Sequence, residues 1–271
     1  MSTARSFASL HDRAHPLVLP NAWDAISARI FEAEGFPAIA TTSAGVAFAL
    51  GYRDGEKADV DEMIGAIRRI ARVVRVPLTA DFEAGYANDI ETLVASVERV
   101  VEAGAVGINL EDWNARAGAL FPLDEATARI RALKERFADT LFVNARTDTY
   151  LRDAFADEYL LEETLLRLHA FVAAGADGVF VPGVADAETI GKLAAGVTAP
   201  LNVLAGPQTP RVAELQKLGV ARVSTGSGPM RRVMGVTRDI ARELRERGTF
   251  SFTREPGVEY PEANRLLAPA P

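Results

Sequence analysis

Four stretches of the chain repeat one device. EAEGFPAI, EAGAVGI, AAGADGV and KLGVARV each bring a helical pattern to a glycine and enter an apolar run within a few residues. Glycine there supplies the left-handed residue that stops a helix. The runs that follow are short and rich in β-branched residues, the mark of strands. They read as LVLP (17–20), AIATTS (38–43), PLTADFE (77–83), GINLED (107–112), FVNARTD (142–148), GVFVPG (178–183), LNVLAG (201–206) and ARVSTG (221–226). Helical stretches such as DEMIGAIRRIARVV and EETLLRLHAFVAAG fill the intervals. Eight alternations over about 230 residues predict an α/β fold, a (β/α)8 TIM-type barrel. An open doubly wound sheet is the alternative, but no GxGxxG follows the first strand.

No Pro/Gly/Ser linker divides the chain, so residues 1–271 are expected to form a single barrel domain. VMGVTRDIARELRERG makes a strong helix after the eighth strand. This helix and the tail, from about residue 231, have material to spare for an oligomer contact.

Composition narrows the chemistry. There is no cysteine, which excludes disulfides, thiolate metal sites and cysteine nucleophiles. The three histidines are His11 and His15 near the start and His169 in a helical pattern, where a surface or packing role is expected. The net charge of −7 argues against a nucleic-acid partner. No segment approaches a membrane span, and the N-terminal stretch lacks the pattern of a secretory signal, so the expected location is cytoplasmic.

Barrel chemistry sits at the C-terminal ends of the strands, where alternate side chains share a face. Asp81 and Glu83 then point one way on the third strand, Asn109 and Glu111 on the fourth, and Asn144, Arg146 and Asp148 on the fifth. Asp81, Glu83 and Glu111 converge on one corner of the mouth. Three neighbouring carboxylates repel unless a cation or a shared proton intervenes. An all-oxygen donor set selects a hard ion, Mg²⁺ or Mn²⁺. The same acids could instead cap helices or pair with arginine. Arg146 could clamp a carboxylate or serve as a buried partner for Glu111 or Asp148. The turn at Ser43, Ala44 and Gly45 offers backbone N–H groups to an anion. Asn202 on the seventh strand is a further substrate-contact candidate.

With these residues in view, the chain resembles the isocitrate lyase/phosphoenolpyruvate mutase superfamily over nearly its whole length. Leu50-Gly51-Tyr52-Arg53-Asp54 is similar to the family's LGxxD segment, and TADFEAGYAN to its D-x-D-x-GYG metal motif. INLED is similar to its LED motif and NARTD to its ARxD/E motif. The resemblance implies Mg²⁺ held partly through waters by Asp54, Asp81, Glu83 and Glu111. It implies a 2-oxo acid whose carboxylate meets Thr42 to Gly45 and Arg146, with Glu111 and Arg146 in catalytic roles. It also implies a metal-stabilised enolate and a dimer of dimers in which the eighth helix is exchanged between subunits.

One segment departs from the family. The lyases carry a Lys-(Lys/Arg)-Cys-Gly-His loop after the fourth strand, whereas this loop reads DWNARAGALFPLD (112–124), with no Cys, His or Lys. Asn114 and Arg116 are what remains as a candidate lid, and Arg116 could clamp a second carboxylate or stand as a solvated loop arginine. The expected function is an Mg²⁺-dependent lyase that cleaves a C–C bond in a small 2-hydroxy or 2-oxo (di)carboxylic acid. The alternatives are an oxaloacetate-type decarboxylase, a P–C hydrolase or mutase of the same superfamily, and a non-catalytic 2-oxo-acid binding protein.

Overall fold

The computed structural model describes residues 3–254 and 257–268, so part of the Pro-rich tail lies outside the described residues. The strands are β1 (Leu17–Leu19), β2 (Asn21–Ala22), β3 (Ile39–Thr41), β4 (Leu78–Asp81), β5 (Gly107–Glu111), β6 (Trp113–Asn114), β7 (Ala119–Leu120), β8 (Phe142–Arg146), β9 (Gly178–Val181), β10 (Leu201–Leu204) and β11 (Arg222–Ser224). All except the small β6–β7 hairpin pair in parallel, in the order β1-β11-β10-β9-β8-β5-β4-β3-β2.

The two ends of that order are halves of one staff. β1 pairs with β11 and β2 with β3, and Pro20 stands between them without an N–H to give. The Pro20 carbonyl still accepts from Ala40 N at 2.9 Å, so the ring is continuous there on one side. Each expected strand is present, one or two residues shorter than its sequence pattern at the C-terminal end. The four glycines of the repeated device, Gly35, Gly104, Gly175 and Gly219, all adopt positive φ, between 85° and 109°.

One large apolar cluster fills the space between strands and helices, including Ile39, Leu78, Leu93, Val97, Ile108, Leu133, Val143 and Phe171. A second closes the N-terminal end of the barrel. There Phe7, from the helix Ala4–Ala8, packs with Leu17, Leu19, Ala38, Ala40 and Phe142. His11 stacks on Phe142 at 4.4 Å and meets Phe7 edge-on at 4.8 Å. Its imidazole is pushed down to about 3, by burial first and by the Arg222 charge second. His169 is exposed and bonds the Gly196 carbonyl, the surface role its helical setting predicts.

The helix Gly228–Arg247 follows β11 and buries Glu243 alone. Val233, Met234, Val236 and Leu244 stand 40–47 % exposed along it. Among the described residues no helix is long and apolar enough to cross a membrane.

Candidate active site

Asp81 is the last residue of β4, at the barrel mouth. Its Oδ2 accepts from Ser43 N at 3.0 Å and Ser43 Oγ at 2.7 Å, and its Oδ1 from Asn109 Nδ2 at 3.2 Å. Ser43 opens the helix Ser43–Leu50, capped by Thr42, so β3 ends two residues earlier than its sequence pattern and the carboxylate faces a helix N-terminus. This corrects the expected anion turn. The Ser43 N–H is already engaged by Asp81 and the Gly45 N–H by Thr42 Oγ1 at 3.3 Å, which leaves Ala44 as the turn's unengaged donor.

Glu83 reaches the mouth by a different route from the one the alternation predicts. The strand stops at Asp81, and Glu83, Gly85 and Tyr86 take φ of 48°, 87° and 55°. A Cβ on Gly85 would lie 2.2 Å from Leu93 Cδ1, so this turn requires glycine. Glu83 Oε1 accepts from the Tyr86 hydroxyl at 2.6 Å and Oε2 from Glu56 N at 2.6 Å. Glu56 Oε1 accepts in turn from Tyr86 N at 2.8 Å. Glu56 itself has φ 55°. The buried Arg129 ties the same turn down through the carbonyls of Ala84 and Ala87. Glu56 and Arg129 carried no sequence signal beyond proximity to Asp54 and a place in an amphipathic helix. Burial raises the Glu83 carboxyl to about 7 against the Tyr86 hydrogen bond, helped by the charges of Asp54, Asp81 and Glu56. Burial and then the Asp81 charge raise Asp54 as well.

On the other side of the mouth, Arg146 ends β8. Its Nη1 meets Glu111 Oε2 at 2.8 Å, while Nε and Nη2 grip Asp148 at 2.6 and 3.0 Å. Burial disfavours the charged guanidinium, but the Glu111 and Asp148 carboxylates outweigh it and hold the proton firmly. Glu111 is raised well above an ordinary glutamate, by burial against the pull of Arg146. The buried-partner role considered for Arg146 is therefore filled twice, by Glu111 and by Asp148. Asp112 fixes this corner. It accepts from Asp148 N at 2.9 Å, Thr147 Oγ1 at 2.7 Å and Arg167 Nη1 at 3.0 Å, and burial raises it to about 6. A second arginine, Arg152, reaches Asp148 Oδ2 at 3.3 Å and stacks over Trp113 at 4.5 Å.

Beneath the mouth the barrel interior is polar. Asn109 Oδ1 accepts from Asn144 Nδ2 at 2.8 Å and from Arg222 at 3.2 Å, linking both to Asp81. Arg222 is completely buried, and burial lowers it to about 9 against the Asp81 charge. Asn202 belongs to this interior. It has no exposed surface and donates to Ser224 Oγ at 3.2 Å, so it does not line the open mouth as expected of a substrate contact.

The departing loop forms the β6–β7 hairpin. Asn114 Oδ1 accepts from the N–H groups of Arg116 and Ala117 at 3.1 and 3.0 Å, which commits it to the turn. Arg116 stands exposed at the tip.

Among the described residues no three acidic or histidine side chains stand close enough to ligate one ion directly. The donor set is still all oxygen, and Asp54, Glu83 and Glu111 are each raised partly by the charge of neighbouring acids. Such spacing fits a small hard ion that keeps several of its own waters, not a dedicated protein cage.

An eight-staff barrel with acids and an arginine gathered at the C-terminal mouth is the architecture of a TIM-barrel enzyme. A family model described as phosphoenolpyruvate phosphomutase matches residues 7–245. An oxaloacetate decarboxylase of Pseudomonas fluorescens (strain SBW25) is 30% identical over 234 residues, 83% of this chain and 78% of that one. The structure of a provisionally named lyase/mutase from Burkholderia cenocepacia J2315 superposes with TM-score 0.90 at 36% identity, over 98% of this chain and 96% of that one. Oxaloacetate acetylhydrolase in complex with oxalate gives 0.85 at 25% identity, over 97% and 93%. The chain belongs to the phosphoenolpyruvate phosphomutase family, within the isocitrate lyase superfamily, whose members are lyases and mutases.

Proposed function

We propose that this protein is an Mg²⁺-dependent carbon–carbon lyase acting on a small 2-oxo acid, with decarboxylation of an oxaloacetate-like acid as the reaction its site suits best. The observation that carries this reading is the divided mouth. Acids able to hold a hydrated cation (Asp54, Asp81, Glu83 and Glu111) lie around an arginine already oriented by Glu111 and Asp148. When bound, the ion supplies Lewis-acid stabilisation to the 2-oxo oxygen as negative charge builds there, worth several kcal/mol. Arg146 has one N–H left on each of Nη1 and Nη2 for the substrate carboxylate, and the Ala44 N–H is unengaged among the described residues.

In decarboxylation the bond between C3 and the departing carboxylate breaks. Its electron pair becomes the C2–C3 double bond of an enolate, and CO₂ leaves. Water then protonates C3 to give the 2-oxo acid product. No general base is needed to begin, which suits a hairpin whose Asn114 is committed to its own turn and whose Arg116 is a poor acid. The kinship with an oxaloacetate decarboxylase supports the same choice. P–C chemistry is less suited, because phosphonate oxygens call for more cationic partners than the hairpin offers.

The test is to follow pyruvate release from oxaloacetate by chelator-stripped protein, with and without Mg²⁺. Metal-dependent turnover above the metal-catalysed background supports the assignment. Saturable Mg²⁺-dependent binding of oxalate without turnover would redirect it to another acid of the class. The exposed apolar face of the helix Gly228–Arg247 supports packing against another subunit, as the family resemblance implies, and sedimentation of the intact chain checks this.

A further inference from the structure

The two arginines that share Asp148 are engaged very differently. Arg146 is gripped along both edges, by Asp148 through Nε and Nη2 and by Glu111 through Nη1, so two carboxylates already balance its charge. Arg152 touches the same Asp148 only through Nε, at 3.3 Å, and among the described residues no protein atom accepts from its Nη1 or Nη2. Its guanidinium is not loose. It lies 4.5 Å over the Trp113 ring, at the root of the hairpin, while its side chain stays 39% exposed. A stacked guanidinium with a free fork is pre-organised for a planar anion. Its contacts with the buried Asp148 and with Trp113 hold Arg152 at the rim of the mouth, within reach of the Asp54 carboxyl, which its charge lowers.

We propose that Arg152 is a specificity-determining residue that receives the second, distal carboxylate of a dicarboxylic substrate. The inference rests on the functional reading above, in which the metal and Arg146 hold the 2-oxo-acid end. It moves the second-carboxylate role away from Arg116. That residue lies exposed at the hairpin tip with no side-chain partner among the described residues, and its charge acts on Glu56. A monoacid of equal length leaves the Arg152 fork in water, and a diacid fills it. Discrimination thus arises from one charge-assisted hydrogen-bonded pair, on the order of tenfold to a hundredfold in affinity.

The experiment is calorimetric titration in excess Mg²⁺ with three stable probes: oxalate, malate and 2-hydroxybutanoate. The last two share four carbons and a 2-hydroxy-acid head, and differ in ending in a carboxylate or a methyl group. Wild type should prefer malate. Arg152→Met, which keeps an apolar stem against Trp113, should lose malate affinity by about tenfold to a hundredfold. It should hold oxalate and 2-hydroxybutanoate within about twofold, and its thermal midpoint should match wild type. Arg152→Lys should recover part of the malate preference, because the charge returns without the fork.

Equal loss of oxalate and malate in Arg152→Met would overturn the proposal, since Arg152 would then merely prop Asp148 and Arg146. An unchanged malate preference would overturn it as well. Failure of the wild type to bind oxalate with Mg²⁺ would strike the functional reading itself, and the proposal would fall with it.

Discussion

The barrel is closed at one end by rings and open at the other onto acids. At the N-terminal ends of the strands, Phe7, His11 and Phe142 stack over the interior with Leu17 and Leu19, and the one titratable ring among them is held neutral. At the C-terminal ends, Asp81, Glu83, Glu111 and Asp148 crowd around Arg146. The apolar end lowers its free energy by excluding water. The acidic end is costly to assemble until counter-charge arrives. Stability therefore concentrates at one end and function at the other, so substitutions at the two ends should separate cleanly.

The largest separation is expected at Asp81. Asp81→Asn keeps the shape and one acceptor oxygen for Ser43, gives up the acceptor that meets Asn109 Nδ2, and removes the negative charge at the centre of the mouth. Mg²⁺-dependent turnover should fall by about a thousandfold, the several kcal/mol that a correctly placed cation supplies. The metal-free thermal midpoint should hold or rise, because one of several repelling acids is gone. A large loss of metal-free stability in this variant would show Asp81 to be a structural acid.

Phe7→Ala tests the other end. Phe7 is fully buried and lies edge-on to Phe142 at 5.2 Å. Its truncation should cost about 3–5 kcal/mol in denaturant unfolding while the Mg²⁺ and oxalate affinities of the folded protein stay within about twofold. If ligand affinity fell in step with stability, the two ends would be coupled through the strands.

How far this division can be read from sequence differs between the ends. The eight staves and the glycine stops follow from periodicity, because a strand or helix advertises itself at fixed spacing. Asp81, Glu111 and Arg146 are legible for the same reason, as alternating residues at strand ends. Glu83 stands at the mouth for a reason the alternation does not contain, since a left-handed turn through Glu83, Gly85 and Tyr86 carries it there. Asn202 failed in the opposite sense. The alternation correctly pointed it inward, but inward on β10 means a sealed interior. Glu56, Asp112, Arg129 and Arg152 carry no such mark in the sequence. Each acts through backbone groups or charges from distant segments, and no local pattern records that. The plug residue His11 was visible only as one of few histidines, because its stacking partner lies 131 residues away in sequence (142 − 11).

Acidity should bring out the contrast with opposite signs. His11 falls from 6.5 to about 3 on folding, so the folded state is fully favoured above pH 6.5 and loses stability as pH drops toward 3. Glu83 rises from 4.5 to about 7, so its contribution is fully present below pH 4.5 and is lost as pH climbs through 7. Between pH 4.5 and 6.5 the two slopes, each up to about 1.4 kcal/mol per pH unit, oppose each other. Glu111, Asp112, Asp54 and Glu56 are raised as well and add to the Glu83 slope, so metal-free wild type should gain stability on acidification through that window, blunted by His11. His11→Gln should steepen that rise, measured by urea unfolding at stepped pH. Saturating Mg²⁺ should reverse it by holding the acids ionised. A His11→Gln profile indistinguishable from wild type would mean that the ring is not held neutral by the plug.

The smallest effect is expected within the hairpin, where two neighbouring residues divide by what their side chains hold. Asn114→Ala removes the acceptor for two N–H groups and should loosen the turn that carries Trp113 toward Arg152. A rise in KM of about threefold to tenfold with little change in kcat is expected, because the hairpin positions the rim and takes no part in bond breaking. Arg116→Ala removes an exposed side chain with no partner among the described residues, and should change KM and kcat by less than about twofold. Steady-state kinetics on oxaloacetate at two ionic strengths separates the cases. An Arg116→Ala loss that grows at low salt would make Arg116 a long-range collector of anions, whereas a salt-independent loss larger than that of Asn114→Ala would place Arg116 on the substrate and return to it the role assigned to Arg152.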